Sequence, residues 1–126
     1  MGFVYCNPNP CNNLVIDCVI RAISIAMDRE WRDVYLDVCI QGYEMCDMPS
    51  SNRVWKAYLL KHGYTMETLH NTCPDCYTVR DFCMDHPYGI YILCTGEHAV
   101  TVIDGNYYDT WDSGDVVPLY YFYKER

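Results

Sequence analysis

Residues 98–111 read HAVTVIDGNYYDTW. Two runs of alternating residues flank Asp104-Gly105. Asp-Gly between such runs is a strong short-range signal for a β-hairpin. A two-residue turn there pairs Ile103 with Asn106, Val102 with Tyr107 and Val100 with Asp109. Cross-strand partners share a face, as do alternate residues along one strand. His98, Val100 and Val102 therefore share a face with Tyr107, Asp109 and Trp111. His98 heads a strand that is otherwise apolar, so its ring needs a polar partner. Asp109 becomes its diagonal neighbour, within reach of long side chains. Asp112 faces the other way in this register, and a bulge would exchange the two.

The surrounding sequence extends this hairpin into a sheet. Gly89–Cys94 is a compact run rich in β-branched and aromatic residues, and Leu119–Tyr123 reads as a last strand after a turn around Asp115–Pro118. Upstream, the pattern changes to a helical period. A first helix is expected from Asp17 to about Met27, with apolar residues on almost every side, as in a helix buried centrally in the core. A second runs from about Trp31 to Ile40. A third follows Ser50 or Ser51 as cap, carries the stripe Val54, Trp55, Tyr58 and Leu59, and stops at Gly63. A fourth begins after Thr78, with Asp81 at the capping-box position and Pro87 as its stop. The segment NPNPCNN (7–13) reads as a loop. Helices first and an antiparallel sheet last is an α+β order. The 126 residues suit a single domain spanning 1–126.

Composition narrows the function classes. Nine basic against seventeen acidic residues give a net charge of −8. Such a surface repels nucleic-acid backbones and anionic membranes. The N-terminus has no basic segment followed by an apolar one, so no signal peptide is expected. Val19–Met27 is broken by Arg21 and is too short to span a bilayer. A soluble cytoplasmic protein is the expectation, and its nine cysteines should be thiols. Most of them read as small buried hydrophobes.

Cys18 is set apart by its position. It follows Asp17, the expected N-cap, in NNLVIDCVIRAISIAM (12–27). Free N–H groups and the helix dipole favour a thiolate at such a place. Among the four histidines, His62 and His86 fall at helix ends and His70 in a loop. His98 alone heads a strand. The resulting constellation is Cys18 as nucleophile, His98 as general base and acid, and Asp109 as orienter. The backbone N–H of Cys18 supplies one oxyanion donor. The side-chain amide of Asn12 or Asn13 is the candidate for a second, although both also suit a turn.

These residues resemble the papain-like cysteine peptidase superfamily. The match is one of order: a Cys opening a central helix, a His opening a strand, then an acid on the next strand. DCVIRAIS, W-x-x-V-Y, HP-x-G-x-Y and H-A-V-x-V-I-D-G-x-Y-Y-D-T-W are together similar to small papain-like proteins of phages and bacteria. The resemblance spans Asn12 to Tyr123. It implies a central nucleophile helix packed on the sheet, and cysteine-dependent hydrolysis of peptide or isopeptide bonds without a cofactor. It places Asn12 where the family has an oxyanion Gln, one methylene shorter here. The fold also serves acyl transferases and inactive interaction modules.

Two features stand outside this reading. Cys73-Pro-Asp-Cys76 is half of a thiolate zinc site that Cys6 and Cys11 would complete, or a redox dithiol, or a loop holding two thiols. Arg21, one turn after Cys18, needs a carboxylate partner if its helix is buried.

Overall fold

The computed structural model describes residues 2–124. Four helices pack with one six-stranded mixed sheet. In chain order the elements are β1 (Gly2–Tyr5), α1 (Cys18–Met27), α2 (Trp31–Met45), α3 (Asn52–Lys61), β2 (Thr65–Thr68), α4 (Val79–Asp85), β3 (Ile90–Cys94), β4 (Ala99–Ile103), β5 (Asn106–Asp109) and β6 (Tyr120–Tyr123). The sheet order is β1-β5-β4-β3-β6-β2.

The hairpin has the expected register: Ile103 faces Asn106 and Val102 faces Tyr107. Asp104 and Gly105 both take positive φ, 48° and 79°. That is the I′ geometry whose twist matches the flanking strands. The remainder of the sheet departs from expectation at both edges. β1 pairs parallel to β5, so the sheet is mixed rather than antiparallel. β2 closes the other edge against β6. Both are four-residue edge strands, too short to show a period.

α1 packs against β3, β4, β5 and α2. Its Ala22, Ile23 and Ala26 enter the larger core with Val54, Trp55, Tyr58 and Leu59 of α3 and Ile92 and Phe122 of the sheet. The apolar coat of α1 is not buried all round: Val19, Ile20 and Met27 are half-buried. Thr101 ties the sheet to this helix, its hydroxyl donating to the Ala22 carbonyl at 2.6 Å. The other sheet face carries a second core, where Val100, Val102, Leu93 and Tyr107 meet Val79, Phe82 and Cys83 of α4.

α2 runs five residues beyond Ile40. Gly42 permits this, because a Cβ there would stand 2.8 Å from the Asp47 carbonyl oxygen as the chain turns back. α4 has the full capping box between Thr78 and Asp81. Ser51 is the N-cap of α3, but its side chain makes no capping bond. Among the described residues no helix is long and apolar enough to cross a membrane.

Candidate active site

Cys18, His98 and Asp109 come from the start of α1, the residue before β4 and the last residue of β5. His98 Nε2 and Asp109 Oδ2 are 2.7 Å apart. Nδ1 is thereby left for the thiol. Alternation places the two on one face but leaves open how they meet α1. Val100 and Val102, which have the parity of His98, face α4. The pair itself lies past the paired β4–β5 residues, at the end of the sheet, where α1 begins. β1 secures that end: Tyr5 pairs with Asp109, and the Cys6 N–H donates to the Asp109 carbonyl at 2.9 Å.

Asp109 is buried, and both carboxylate oxygens are occupied. Oδ2 also accepts from the Ser113 hydroxyl at 2.7 Å. Oδ1 accepts from the Thr110 N–H at 2.8 Å and from Arg21 Nη2 at 3.2 Å. Burial alone would raise its pKa; the bonds from His98 and Ser113 outweigh burial and lower it. Burial would likewise lower His98, but the hydrogen bonds to Asp109 and Cys18 push it up to about 9. For Cys18, burial opposes ionisation. The His98 ring, the Ala99 N–H and the charges of His98 and Arg21 overcome it, leaving the thiol below its ordinary value. The thiol also donates to the Glu97 carbonyl at 3.9 Å. Cys6, Cys83 and Cys94 shift upward through burial. Cys18 is shifted the opposite way to these three.

Asp17 holds the N-cap position, yet its side chain makes no capping bond. Its carboxylate pairs with Arg21 Nη1 and accepts from Trp31 Nε1 at 2.9 Å. This corrects the expectation of a side-chain cap. The diversion leaves the first-turn N–H groups of α1 without a side-chain acceptor, which suits an oxyanion. Arg21 has the carboxylate partner a buried helix requires, and in fact has two.

Asn12 and Asn13 are exposed, and neither lines the cleft at Cys18. Asn12 sits at φ 58° in a turn closed by the Asn9 carbonyl at 2.9 Å. The turn role fits Asn12, and neither amide stands at the cleft as a donor would. The polar amide that does line the cleft is Asn52, at the first turn of α3. Trp111 shares the His98 side as expected, with ring centroids 4.9 Å apart. Asp112 instead accepts from the Tyr107 hydroxyl at 2.5 Å. His62 and His86 engage carbonyls of their own helices through Nδ1, and His70 is exposed.

A cleft of about 470 Å³ opens beside Cys18 and His98. Val19, Trp31, Tyr35, Val38 and Trp55 give it an apolar wall, and Glu97 stands exposed at its rim. Cys73 and Cys76 are joined as a disulfide, against the expectation of thiols throughout. They are therefore not free to complete a thiolate site with Cys6 and Cys11, and no group of metal-ligating side chains occurs among the described residues.

Four helices, a mixed sheet and a thiol–imidazole–carboxylate constellation define an α+β protein with a candidate nucleophile site. No protein-family model, curated protein or solved structure matches the chain.

Proposed function

We propose that this protein is a papain-like cysteine hydrolase that cleaves peptide or isopeptide amides. The observation that carries the reading is the 2.7 Å His98–Asp109 bond beside a thiol shifted toward ionisation at a helix start. His98 Nδ1 takes the Cys18 proton, Sγ attacks the amide carbon, and the first-turn N–H groups of α1 hold the oxyanion. His98 gives its Nδ1 proton to the departing amine, leaving a thioester on Cys18. The same nitrogen then takes a proton from water, which attacks the thioester and frees the acid. Asp109 keeps Nε2 protonated and the ring oriented. No cofactor takes part in these steps.

The apolar cleft favours a substrate with a bulky hydrophobic group near the scissile bond. Glu97 and the net charge of −8 disfavour acidic ones. The alternative of an inactive interaction module predicts a cleft filled by Tyr or Trp side chains; the open volume at Cys18 argues against it. A cytoplasmic setting is proposed on the seven free cysteines, with the Cys73–Cys76 disulfide standing against it.

The test is reaction with a peptidyl epoxide followed by mapping of the adduct, together with turnover of a peptide-amide library. We expect one adduct, on Cys18, lost in His98→Ala, and turnover lost in Cys18→Ala. Labelling of Cys18 no faster than the other free cysteines, without turnover, refutes the reading.

A further inference from the structure

We propose that Arg21 is a positioning residue of this site: its guanidinium ties the segment carrying Cys18 to the carboxylate that orients His98, and supplies a permanent positive charge between two buried carboxylates. The proposal rests on the cysteine-hydrolase reading. Its basis is geometric. Arg21 follows Cys18 by three residues, so both lie on one side of α1. It is 6% exposed, which leaves water little part in neutralising it. One terminal nitrogen pairs with Asp17, immediately before the nucleophile. The other reaches Asp109 at 3.2 Å. Asp17 is held in turn by Trp31 Nε1, a ring that also walls the cleft. A continuous chain of bonds thus runs from the cleft wall through Asp17, Arg21 and Asp109 to His98.

The charge balance explains why a cation belongs there. The groups facing Arg21 are Asp17 from the loop before α1, Asp109 from β5, and the Cys18–His98 couple. Buried Cys94, at the end of β3, lies close enough to Cys18 to feel its charge. With both carboxylates ionised and His98 protonated, Arg21 brings the cluster to neutrality before the thiol ionises. Removing Arg21 would require the thiolate to form in a site that already carries a net negative charge. Consistently, the Arg21 charge is among the influences that lower Cys18. A purely structural arginine would satisfy the same carboxylates without setting the ionisation of the thiol.

The test reads the thiol without any substrate. Iodoacetamide alkylates ionised Cys18 with loss of iodide, and peptide mapping follows its rate against pH in the folded chain. Arg21→Gln should move the acid limb of that profile upward by about one unit, about tenfold slower labelling below the limb. Arg21→Lys, which keeps the charge, should return the limb toward the wild-type position. If Arg21→Gln does not fold, Asp17→Asn and Asp17→Asn/Arg21→Gln give the same comparison with one fewer buried carboxylate left unpaired. A limb that stays in place when the charge is removed from a folded protein overturns the role of Arg21 and leaves the hydrolase reading standing. A wild-type Cys18 that labels no faster than the other free cysteines overturns both.

Discussion

His98 Nε2 and Asp109 Oδ2 stand 2.7 Å apart across a hairpin whose turn is Asp104-Gly105. Together with Cys18, the bond raises the imidazole against the pull of its own burial, to about 9. It also fixes which ring nitrogen faces the thiol. Both effects depend on a full negative charge at position 109.

Asp109→Asn keeps the shape and removes that charge. With the carboxylate gone, burial is opposed by Cys18 alone, and His98 should titrate well below about 9. Loss of the oriented acid–base should also lower turnover by about 10²–10⁴-fold. Histidine ring resonances followed by NMR across a pH series check the first point. A His98 that still titrates near 9 in Asp109→Asn would show that the carboxylate does not set it.

The two shifts in the couple also fix a pH window. Cys18 is lowered below 9.0 and His98 is raised to about 9, so the thiolate–imidazolium pair exists between the two values. Turnover should rise as Cys18 ionises and fall as His98 loses its proton near pH 9. Stability follows the same linkage. His98 is raised in the folded state, so its contribution is complete below 6.5 and lost as pH rises through about 9. Asp109 is lowered, so its contribution is present above 3.8 and lost as pH falls through the folded value. The gap in melting temperature between wild type and His98→Ala should therefore be widest between about pH 4 and 6.5 and should narrow as pH rises from 6.5 through about 9. Parallel curves throughout would remove His98 from the balance.

How far the sequence disclosed this site depended on the range of each interaction. The hairpin and the capping box are local rules, so Asp104-Gly105 and Thr78-x-x-Asp81 could be read directly. The facial alternation of strands then paired His98 with Asp109, although not with the face that α1 covers. Edge strands β1 and β2 obey no local rule, since four residues between loops acquire strand geometry only from the neighbour they join. Asp17 followed the cap rule in position only. A buried Arg21 one turn away outcompeted the backbone N–H groups for its carboxylate, because a charged pair is the stronger hydrogen bond. Ser113 carried no readable signal; it joins Asp109 through a loop that follows the hairpin.

Gly105→Ala tests the turn on which the register rests. Gly105 sits at φ 79°, and an L side chain there is strained by about 1 kcal/mol. The melting temperature should fall by roughly 4 °C. Gly105→Asn, which tolerates the left-handed region better, should lose less. Equal melting of Gly105→Ala and wild type would mean that the turn is not formed with both central residues at positive φ.

Cys39→Phe tests the cleft as the seat of the hydrophobic group. Cys39 lies on α2, half-buried, and faces the cleft beside Tyr35 and Val38. A phenyl ring there occupies the space proposed for a bulky side chain but leaves the thiol of Cys18 open. For a peptide amide with a large apolar group, KM should rise roughly tenfold or more, as expected when a pocket no longer has room for its ligand. Once such a substrate is bound, kcat should change little, because binding energy shared equally by ground and transition states is expressed in KM. Alkylation of Cys18 by iodoacetamide, a reagent small enough to pass the ring, should keep its wild-type rate. An unchanged KM with an unchanged fold would mean that the substrate approaches Cys18 from another side, and that the apolar cleft serves something other than its recognition.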